Sequence, residues 1–210
     1  MLAPLPAPSP RAFYLQHTDL GILATGTILT LAALSEENSE RATTTLESMG
    51  PLDVPIDIGD SFGSTWTMLG VTAGLGAVGW LGGGPRFSNA AIDMGKTLLV
   101  TGAIVGGLKV TINRTRPNNA GHSFPSGHTA VAFAGASVLD EHFGWKVGVP
   151  AYGLATFTGL GRMEDNKHYL SDVIAGATIG LLVGRAIPSR YRDNLSAFGG
   201  PDRIGVSVRF

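Results

Sequence analysis

A histidine and a carboxylate in the stretch RMEDNKHYLSD have the spacing of a reactive pair. His168 and Asp172 are four residues apart, so their side chains share one face of a helix. A carboxylate that accepts the imidazole Nδ1–H fixes the tautomer and leaves Nε2 with a free lone pair. Such a histidine serves as a base, a nucleophile or a metal ligand, although the same spacing is common in surface hydrogen bonds.

A second histidine lies in HSFPSGHTA, just after a predicted helix start. Ser126 is a favoured N-cap residue, and the amides that follow it, including that of Gly127, point out of the helix N-terminus. This end of a helix carries partial positive charge and binds anions. His128 lies in the first turn, next to such an anion, although an ordinary capped helix with an unrelated histidine has the same sequence pattern.

Cations are concentrated at predicted helix ends in a chain that has few charges. Lys109 and Arg116 are seven residues apart, about two helical turns, with Arg114 close by, and Arg162 ends a later helix. Each cation alone is explained by the helix dipole. Together they match a tetrahedral oxyanion, because Arg binds phosphate through two donors and Lys acts as a point charge. The sequence holds no dense acidic cluster for Mg²⁺, so we expect the positive charge to come from the protein.

The combined pattern resembles the signature of the type 2 phosphatidic acid phosphatase superfamily, which includes bacterial non-specific acid phosphatases and vanadium haloperoxidases. It reads Lys-x6-Arg-Pro from residue 109, Pro-Ser-Gly-His from residue 125 and Arg-x5-His-x3-Asp from residue 162. One position departs from the family. Gly161 stands where Ser is usual, which we expect to loosen one hydrogen bond at the phosphate pocket without removing activity.

The resemblance implies a role for each motif residue. His168 is expected to attack phosphorus and form a phosphohistidine, Asp172 to orient it, and His128 to protonate the leaving oxygen and later take a proton from water. We expect the anion to favour charged His128, and the surrounding cations to favour neutral His168. The residues implied to hold the phosphoryl oxygens are Lys109, Arg116, Ser126, Gly127 and Arg162.

The implied activity is metal-independent hydrolysis of phosphomonoesters or pyrophosphates. The substrate is expected to be a lipid phosphate, a polyprenyl pyrophosphate or a small soluble ester, with no cofactor and with vanadate as an inhibitor. One alternative is a vanadium-dependent haloperoxidase that holds vanadate at His168. Another is a non-catalytic phosphate or lipid binder, but such a protein would be expected to lack His168 or His128, and both are present.

Composition bounds the protein class. The chain has 210 residues, enough for one domain, with 44% hydrophobic residues, 15% charged residues and a net charge of −1. This balance gives no indication of a nucleic-acid partner. The absence of cysteine excludes disulfides, thiolate metal sites and cysteine nucleophiles. The oligomeric state is left open.

Hydrophobic periodicity predicts an all-α fold, a single-domain bundle of about six helices. We expect a Pro-rich, disordered tail over 1–14, a helical phosphatase domain over 15–188 with its motifs at 109–172, and a C-terminal tail over 189–210 with a possible short strand. A polar helix is predicted over 36–48 and a Pro/Gly/Asp loop over 50–64. The apolar helices are predicted over 18–34, 65–81, 88–113, 126–141, 147–162 and 167–186.

The sequence favours a soluble bundle, with an integral membrane protein as the alternative. Only residues 61–85 lack charge for a full span, and they are Gly-rich. Lys96 and Lys109 interrupt one helix, and Asp172 and Arg185 interrupt another, which is typical of buried helices. The N-terminus lacks the basic segment of an intact signal peptide, and its Pro-rich tail is consistent with a removed one. We therefore expect an extracytoplasmic location, periplasmic or secreted, soluble or membrane-associated.

Three groups of residues receive structural interpretations. The remaining histidines lack partners at ligand spacing and are predicted to be surface or loop residues, with His122 also a candidate for the mouth of the site. The segment between the third-motif Arg and His is predicted to be a solvated loop. The tryptophans are predicted to be packing residues or interfacial anchors. These groups are His17, His122 and His142; Glu164, Asp165 and Asn166; and Trp66, Trp80 and Trp145.

Overall fold

The computed structural model describes residues 17–34, 53–191, 195–200 and 203–208. Within these residues the chain forms a helical bundle, as predicted. A π-helical segment, Gly79–Gly83, joins the third helix to the fourth. The α-helices are α1 His17–Ala32, α2 Asp53–Phe62, α3 Thr65–Val78, α4 Pro85–Ile112, α5 Gly127–Phe143, α6 Trp145–Glu164 and α7 Leu170–Tyr191.

Helix α5 is the centre of the bundle and packs against α4, α6 and α7. Its buried residues are mostly small, including Ala130, Ala134 and Ser137, so neighbouring helices approach its backbone. Two apolar clusters fill the space around it. One contains Met68, Met94, Leu98, Val131 and Val138, and the other contains Ala132, Ala136, Ala151 and Ala155.

Three glycines of α7 at four-residue spacing make the contact with α5 close. A Cβ on Gly176 would lie 2.5 Å from the Ser126 carbonyl oxygen, and a Cβ on Gly180 or Gly184 would overlap the backbone one and two turns further along α5. Such overlap is far closer than packed carbon and oxygen atoms allow. The glycine spacing therefore holds the start of α7, which carries Asp172, against the start of α5, which carries His128.

The segment 50–64 is largely helical, so the prediction of a loop there is wrong. Pro55 lies in the first turn of α2, where a missing N–H removes no intrahelical hydrogen bond. Gly59 lies against α6, and a Cβ there would come within 2.8 Å of the Phe157 carbonyl carbon and the Thr158 nitrogen. The two residues that indicated a loop thus belong to a helix: Pro55 fits its first turn, and Gly59 allows it to pack closely against α6.

One predicted helix end, that of α4, agrees with the structure to within one residue, whereas that of α7 does not. Helix α4 stops because Asn113 adopts a left-handed conformation (φ 43°) and donates its N–H to the Lys109 carbonyl, three residues before the Arg116–Pro117 stop signal. Helix α7 continues past Ala186 to Tyr191, with Pro188 in its last turn.

Beyond it, β1 Leu195–Gly200 pairs antiparallel with β2 Arg203–Val208, and β1 contacts α4 and the π-helical segment. The predicted tail over 1–14 and polar helix over 36–48 lie outside the described residues.

The apolar surface contradicts the expectation that the long helices are buried inside a soluble bundle. Helices α4 and α7 are both long and apolar enough to cross a membrane, whereas most of each apolar stretch is not buried inside the protein. Leu99 and Val110 of α4, for example, are 75% and 74% exposed. The uncharged stretch 61–85, the one span that the charge pattern allowed, is divided between α2, α3 and the π-helical segment. The charges in α4 and α7 that argued against a span lie on faces turned toward other helices or near helix ends.

His142 is not a surface residue, so that prediction is wrong. Its Nε2 lies 2.9 Å from the Asp93 carboxylate, and both side chains are almost completely buried. The Arg86 Nε donates to the His142 carbonyl oxygen, and the Arg86 guanidinium lies over the Phe143 ring. This buried cluster joins the start of α4 to the end of α5, at the end of the bundle opposite to His128. The side chain of His17 lies outside the described residues.

Candidate active site

The three motifs converge at one end of the bundle. The Ser126 N–H donates to the Asp172 carbonyl oxygen at 2.9 Å, which joins the second motif to the third. A Cβ on Gly127 would lie 3.7 Å from the Lys109 Cε, so the first motif lies beside the second. The His168 side chain lowers the pKa of His128, and the Arg116 guanidinium lowers the pKa of His168, so these groups lie near one another. The structure therefore brings the predicted residues to one site.

The Asp172 carboxylate is completely buried and held by groups from two loops, the one between α4 and α5 and the one before α7. Arg114 donates to Oδ1 at 2.9 Å, and the Tyr169 N–H donates to Oδ2 at 2.9 Å. The Ser123 hydroxyl donates to Oδ2 as well. The Arg114 guanidinium also lies 4.0 Å from the centre of the Tyr169 ring. Because every partner is a donor, the site holds Asp172 ionised and in one orientation.

His168 is buried with its Nδ1 toward this carboxylate. Nδ1 lies 3.6 Å from the Asp172 Oδ2, too far for a hydrogen bond, and has no other partner among the described residues. The backbone N–H of His168 donates to the Arg162 carbonyl at 3.1 Å. This hydrogen bond holds the residue between the end of α6 and the start of α7. With Nδ1 toward Asp172, Nε2 is the ring nitrogen that remains for reaction.

The start of α5 has the predicted cap. The Ser126 side-chain oxygen accepts from the Thr129 N–H at 3.5 Å and contacts the Thr129 hydroxyl at 2.8 Å. Ser126 is fully buried, whereas Gly127 and His128 are half-buried. Among these three residues, Gly127 and His128 are thus the ones that retain access to solvent, while the Ser126 hydroxyl serves the helix start.

Lys109 is held by His122, a residue predicted to be a surface or loop histidine. The Lys109 Nζ donates to the His122 carbonyl at 2.7 Å, and the His122 Nδ1 lies 2.9 Å from the Lys109 carbonyl. His122 adopts a left-handed backbone conformation (φ 60°), which turns its carbonyl toward the lysine. The ammonium keeps two further donors for an anion. His122 remains exposed, but its contacts make it a support of the site.

Arg162 is buried and paired with carboxylates, which the sequence did not predict. Its Nη2 lies 2.5 Å from the Asp60 carboxylate of α2 and 2.7 Å from the Asp165 carboxylate. Asp165 also accepts from the Lys167 Nζ at 2.9 Å. The Nε atoms of Arg162 and Arg116 are buried and have no hydrogen-bond partner among the described residues. Asp165 is thus part of an ion-pair network and not simply a solvated loop residue.

Burial controls the protonation of both histidines. Burial lowers the pKa of His168; Asp172 raises it, and Lys109 and Arg116 lower it, so the neutral form is favoured as expected. Burial also lowers the pKa of His128, and the Arg162 guanidinium lowers it further. The site without an anion therefore favours neutral His128, and the expectation that a bound anion favours the charged form stays a prediction. Both residues lie at helix ends, outside the two candidate spans.

The sequence of the site defines its family. Residues 90–196, just over half of the chain, match the PAP2 superfamily. The chain therefore belongs to the PAP2 superfamily, which confirms the resemblance seen in the three motifs.

Two bacterial relatives are named as lipid A phosphatases. A Lipid A 1-phosphatase of Porphyromonas gingivalis is 41% identical over 91 residues, which cover 41% of this chain and 20% of that protein. A Lipid A 4'-phosphatase of Helicobacter pylori is 29% identical over 132 residues, which cover 53% of this chain and 67% of that protein. The chain thus spans about a fifth of the first relative and two thirds of the second.

Two crystal structures share the fold. A transmembrane PAP2-type phosphatidylglycerolphosphate phosphatase from Bacillus subtilis superposes with a TM-score of 0.69 at 18% identity, over 84% of this chain and 97% of that one. LpxE from Aquifex aeolicus superposes with a TM-score of 0.62 at 23% identity, over 76% of this chain and 98% of that one. At these identities the likeness supports the helical fold.

Proposed function

We propose that this protein is a metal-independent phosphatase that removes phosphate from a phosphorylated lipid through a phosphohistidine. One observation carries the proposal: the His168 Nδ1 lies 3.6 Å from the buried Asp172 carboxylate, and the cations Lys109 and Arg116 lower the pKa of His168. A loose, anionic transition state for phosphoryl transfer is stabilised by fixed positive groups and by positioning. In this proposal the protein side chains supply that charge.

The proposed reaction has two steps. The His168 Nε2 attacks phosphorus, and the bond from phosphorus to the leaving oxygen breaks. His128 gives its proton to that oxygen while Asp172 stabilises the charged His168. Water then attacks the phosphohistidine, His128 takes one water proton, and inorganic phosphate leaves with His168 neutral again. In this proposal, Lys109, Arg116 and the Nε of Arg162, which has no other partner among the described residues, hold the phosphoryl oxygens throughout.

A lipid substrate is supported by the relatives' names and by the protein surface. The site lies at one end of a bundle whose outer helices expose apolar side chains along their length. In a bilayer, this end lies near the headgroups, where a lipid phosphate is found. We propose that α4 and α7 are embedded in the membrane and that the site faces the extracytoplasmic side.

A substrate panel tests the proposal. Lipid A, phosphatidic acid, a polyprenyl pyrophosphate and a soluble aryl phosphate are presented to the detergent-solubilised protein, and inorganic phosphate release is measured. We expect the lipid substrates to be hydrolysed with higher kcat/KM than the aryl phosphate, and vanadate to inhibit competitively. His128→Ala is expected to lower kcat by roughly 10²–10⁴-fold, the usual contribution of a general acid.

Two results would contradict this function. If EDTA abolishes turnover and Mg²⁺ restores it, the metal-independent mechanism is wrong. If the aryl phosphate is the better substrate in detergent and in bilayers alike, the lipid assignment is wrong. Halide oxidation with added vanadate and peroxide, measured on the same preparation, tests the haloperoxidase alternative.

A further inference from the structure

Asp60 is a carboxylate outside the three motifs that reaches into the site. It lies near the end of α2, and its Oδ2 is 2.5 Å from the Nη2 of Arg162. The other carboxylate on this guanidinium, that of Asp165, comes from the third-motif loop and is shared with Lys167. Arg162 is 5% exposed, so its direction is set by these two ion pairs.

The end of α2 also contacts the turn that carries His128. A Cβ on Gly63, just after α2, would lie 3.1 Å from the His128 carbonyl oxygen and would overlap the Thr158 side chain. The second oxygen of Asp60, Oδ1, is buried and has no hydrogen-bond partner among the described residues. A buried carboxylate oxygen without a partner is costly, so it needs a nearby positive group in the working site.

We propose that Asp60 is a positioning residue of this site, which aims the Arg162 guanidinium with its Oδ2 and places a negative charge near His128. The proposal rests on the phosphatase function proposed above. It assigns to α2, a helix outside the family signature, a part in setting the acid–base group. In this arrangement the two carboxylates contact Nη2 only, so the Arg162 Nε keeps its donor for phosphate.

The groups around His128 make the sign of the effect clear. Arg162 from α6, and His168 and Lys167 from the loop before α7, lower its pKa after burial, whereas Asp60 from α2 raises it. The proposed acid must carry a proton when the leaving oxygen departs. Because Asp60 opposes both burial and the surrounding cations, it keeps His128 protonated to higher pH than the site would otherwise allow.

The test is the pH dependence of kcat/KM in three variants. Asp60→Asn removes the charge but keeps an oxygen that can accept from Arg162, and Asp60→Glu keeps the charge. Asp165→Asn is the matched control. It also removes a carboxylate that contacts Arg162, but the charge of Asp165 is already neutralised by Lys167. We expect the alkaline limb to move to lower pH in Asp60→Asn, so that its deficit relative to wild type grows as the pH rises. The alkaline limb is expected to stay at the wild-type pH in Asp60→Glu and in Asp165→Asn. In both variants KM is expected to rise, because the Arg162 guanidinium is less well oriented toward phosphate.

A second readout does not depend on turnover. The pKa of His128 is measured by NMR of histidine-labelled protein in detergent, with His128→Gln used to assign the signal. We expect a lower pKa in Asp60→Asn than in wild type or Asp165→Asn, with thermal melts confirming that each variant is folded. An unchanged His128 pKa in Asp60→Asn, or a limb that moves equally in all three variants, overturns the proposal. If wild type hydrolyses no phosphate ester, the proposed function fails, but the NMR titration still decides the role of Asp60.

Discussion

The two histidines of the site have the same side chain but different surroundings. His168 faces a buried carboxylate that is held by Arg114 and Ser123, whereas His128 faces Arg162 and Asp60. Enzymes separate an acid from a nucleophile by such differences in environment. In the site without substrate, burial lowers the pKa of both rings, so neither is held in its charged form. In the proposed reaction, the negative charge of the bound phosphate raises the pKa of His128 and so favours its protonated form.

This dependence predicts different pH profiles for kcat/KM and kcat. The alkaline limb of kcat/KM reports on His128 in the free enzyme, where burial and Arg162 lower its pKa. The limb of kcat reports on the complex, where the bound anion raises that pKa. We expect activity to be lost at lower pH in kcat/KM than in kcat, measured by steady-state kinetics on one lipid phosphate. Coincident limbs, with a substrate whose own ionisation lies outside the range, would contradict this account.

The motif residues were predictable from the sequence, but several of their supports were not. Lys109, Arg116, His128, Arg162, His168 and Asp172 are identified by type and spacing. Arg114 has the sequence context of an ordinary helix-end cation, and Ser123 that of a loop serine, yet both bind Asp172. Asp60 lies 102 residues before its partner Arg162 in the sequence, so no local spacing reveals the pair. Supports of this kind depend on tertiary packing, which one sequence does not specify.

At the scale of elements, the site depends on how closely α7 approaches α5. The glycines at 176, 180 and 184 allow the two backbones to lie nearly in contact. Because Asp172 lies at the start of α7 and Ser126 at the start of α5, the distance between these helices fixes the relation of the second and third motifs. The hydrogen bond from the Ser126 N–H to the Asp172 carbonyl, at 2.9 Å, exists only at this spacing.

Gly180→Ala tests this packing. The added methyl group would overlap the Ala130 carbonyl oxygen in the middle of the α5–α7 contact. We expect a loss of about 1–3 kcal/mol in the free energy of unfolding, the usual cost of overpacking, measured by thermal or denaturant unfolding in detergent. Gly153→Ala in α6 is the control, since a Cβ there has no neighbour within 4 Å. It is expected to be neutral or slightly stabilising because Ala favours helix. Equal stabilities for the two variants would refute the close-packing interpretation.

Most helices were predictable, but α2 and the exposure of α4 and α7 were not. Apolar periodicity and the Ser126 cap located α5 to within two residues at either end. Pro55 and Gly59 led to the prediction of a loop in place of α2. A proline in the first turn of a helix and a glycine at a helix–helix contact cannot be distinguished from loop residues by sequence alone. Charge positions alone also made α4 and α7 look like short buried helices, because the sequence does not show which face each charge occupies.

At the scale of the whole molecule, the bundle exposes apolar side chains along its middle and tryptophans at both ends. Trp66 is 83% exposed at the start of α3, near the end of the bundle that holds the site. Trp80 and Trp145 are 51% and 69% exposed at the other end, in the π-helical segment and at the start of α6. Tryptophans are enriched at both interfaces of a bilayer, so this arrangement fits a protein that spans it.

Side-specific quenching of tryptophan fluorescence tests this placement. Single-tryptophan variants are reconstituted into vesicles, and iodide is added outside only. We expect iodide to quench either Trp66 or the pair Trp80 and Trp145, according to the orientation of the protein, which protease protection determines separately. In detergent, where both ends are accessible, all three should be quenched. Equal quenching of all three in vesicles from one side would show that the bundle does not span the membrane.

The covalent intermediate on His168 is the central claim, and rapid-quench trapping tests it most directly. Wild-type protein is mixed with a lipid substrate labelled in its terminal phosphate, quenched in alkali within the first turnover, and mapped by peptide analysis. The account predicts an acid-labile, alkali-stable phosphate on the wild-type peptide that contains residue 168 and no such phosphate in His168→Ala. Label on any other residue, or phosphate release at the wild-type rate by His168→Ala, would contradict it.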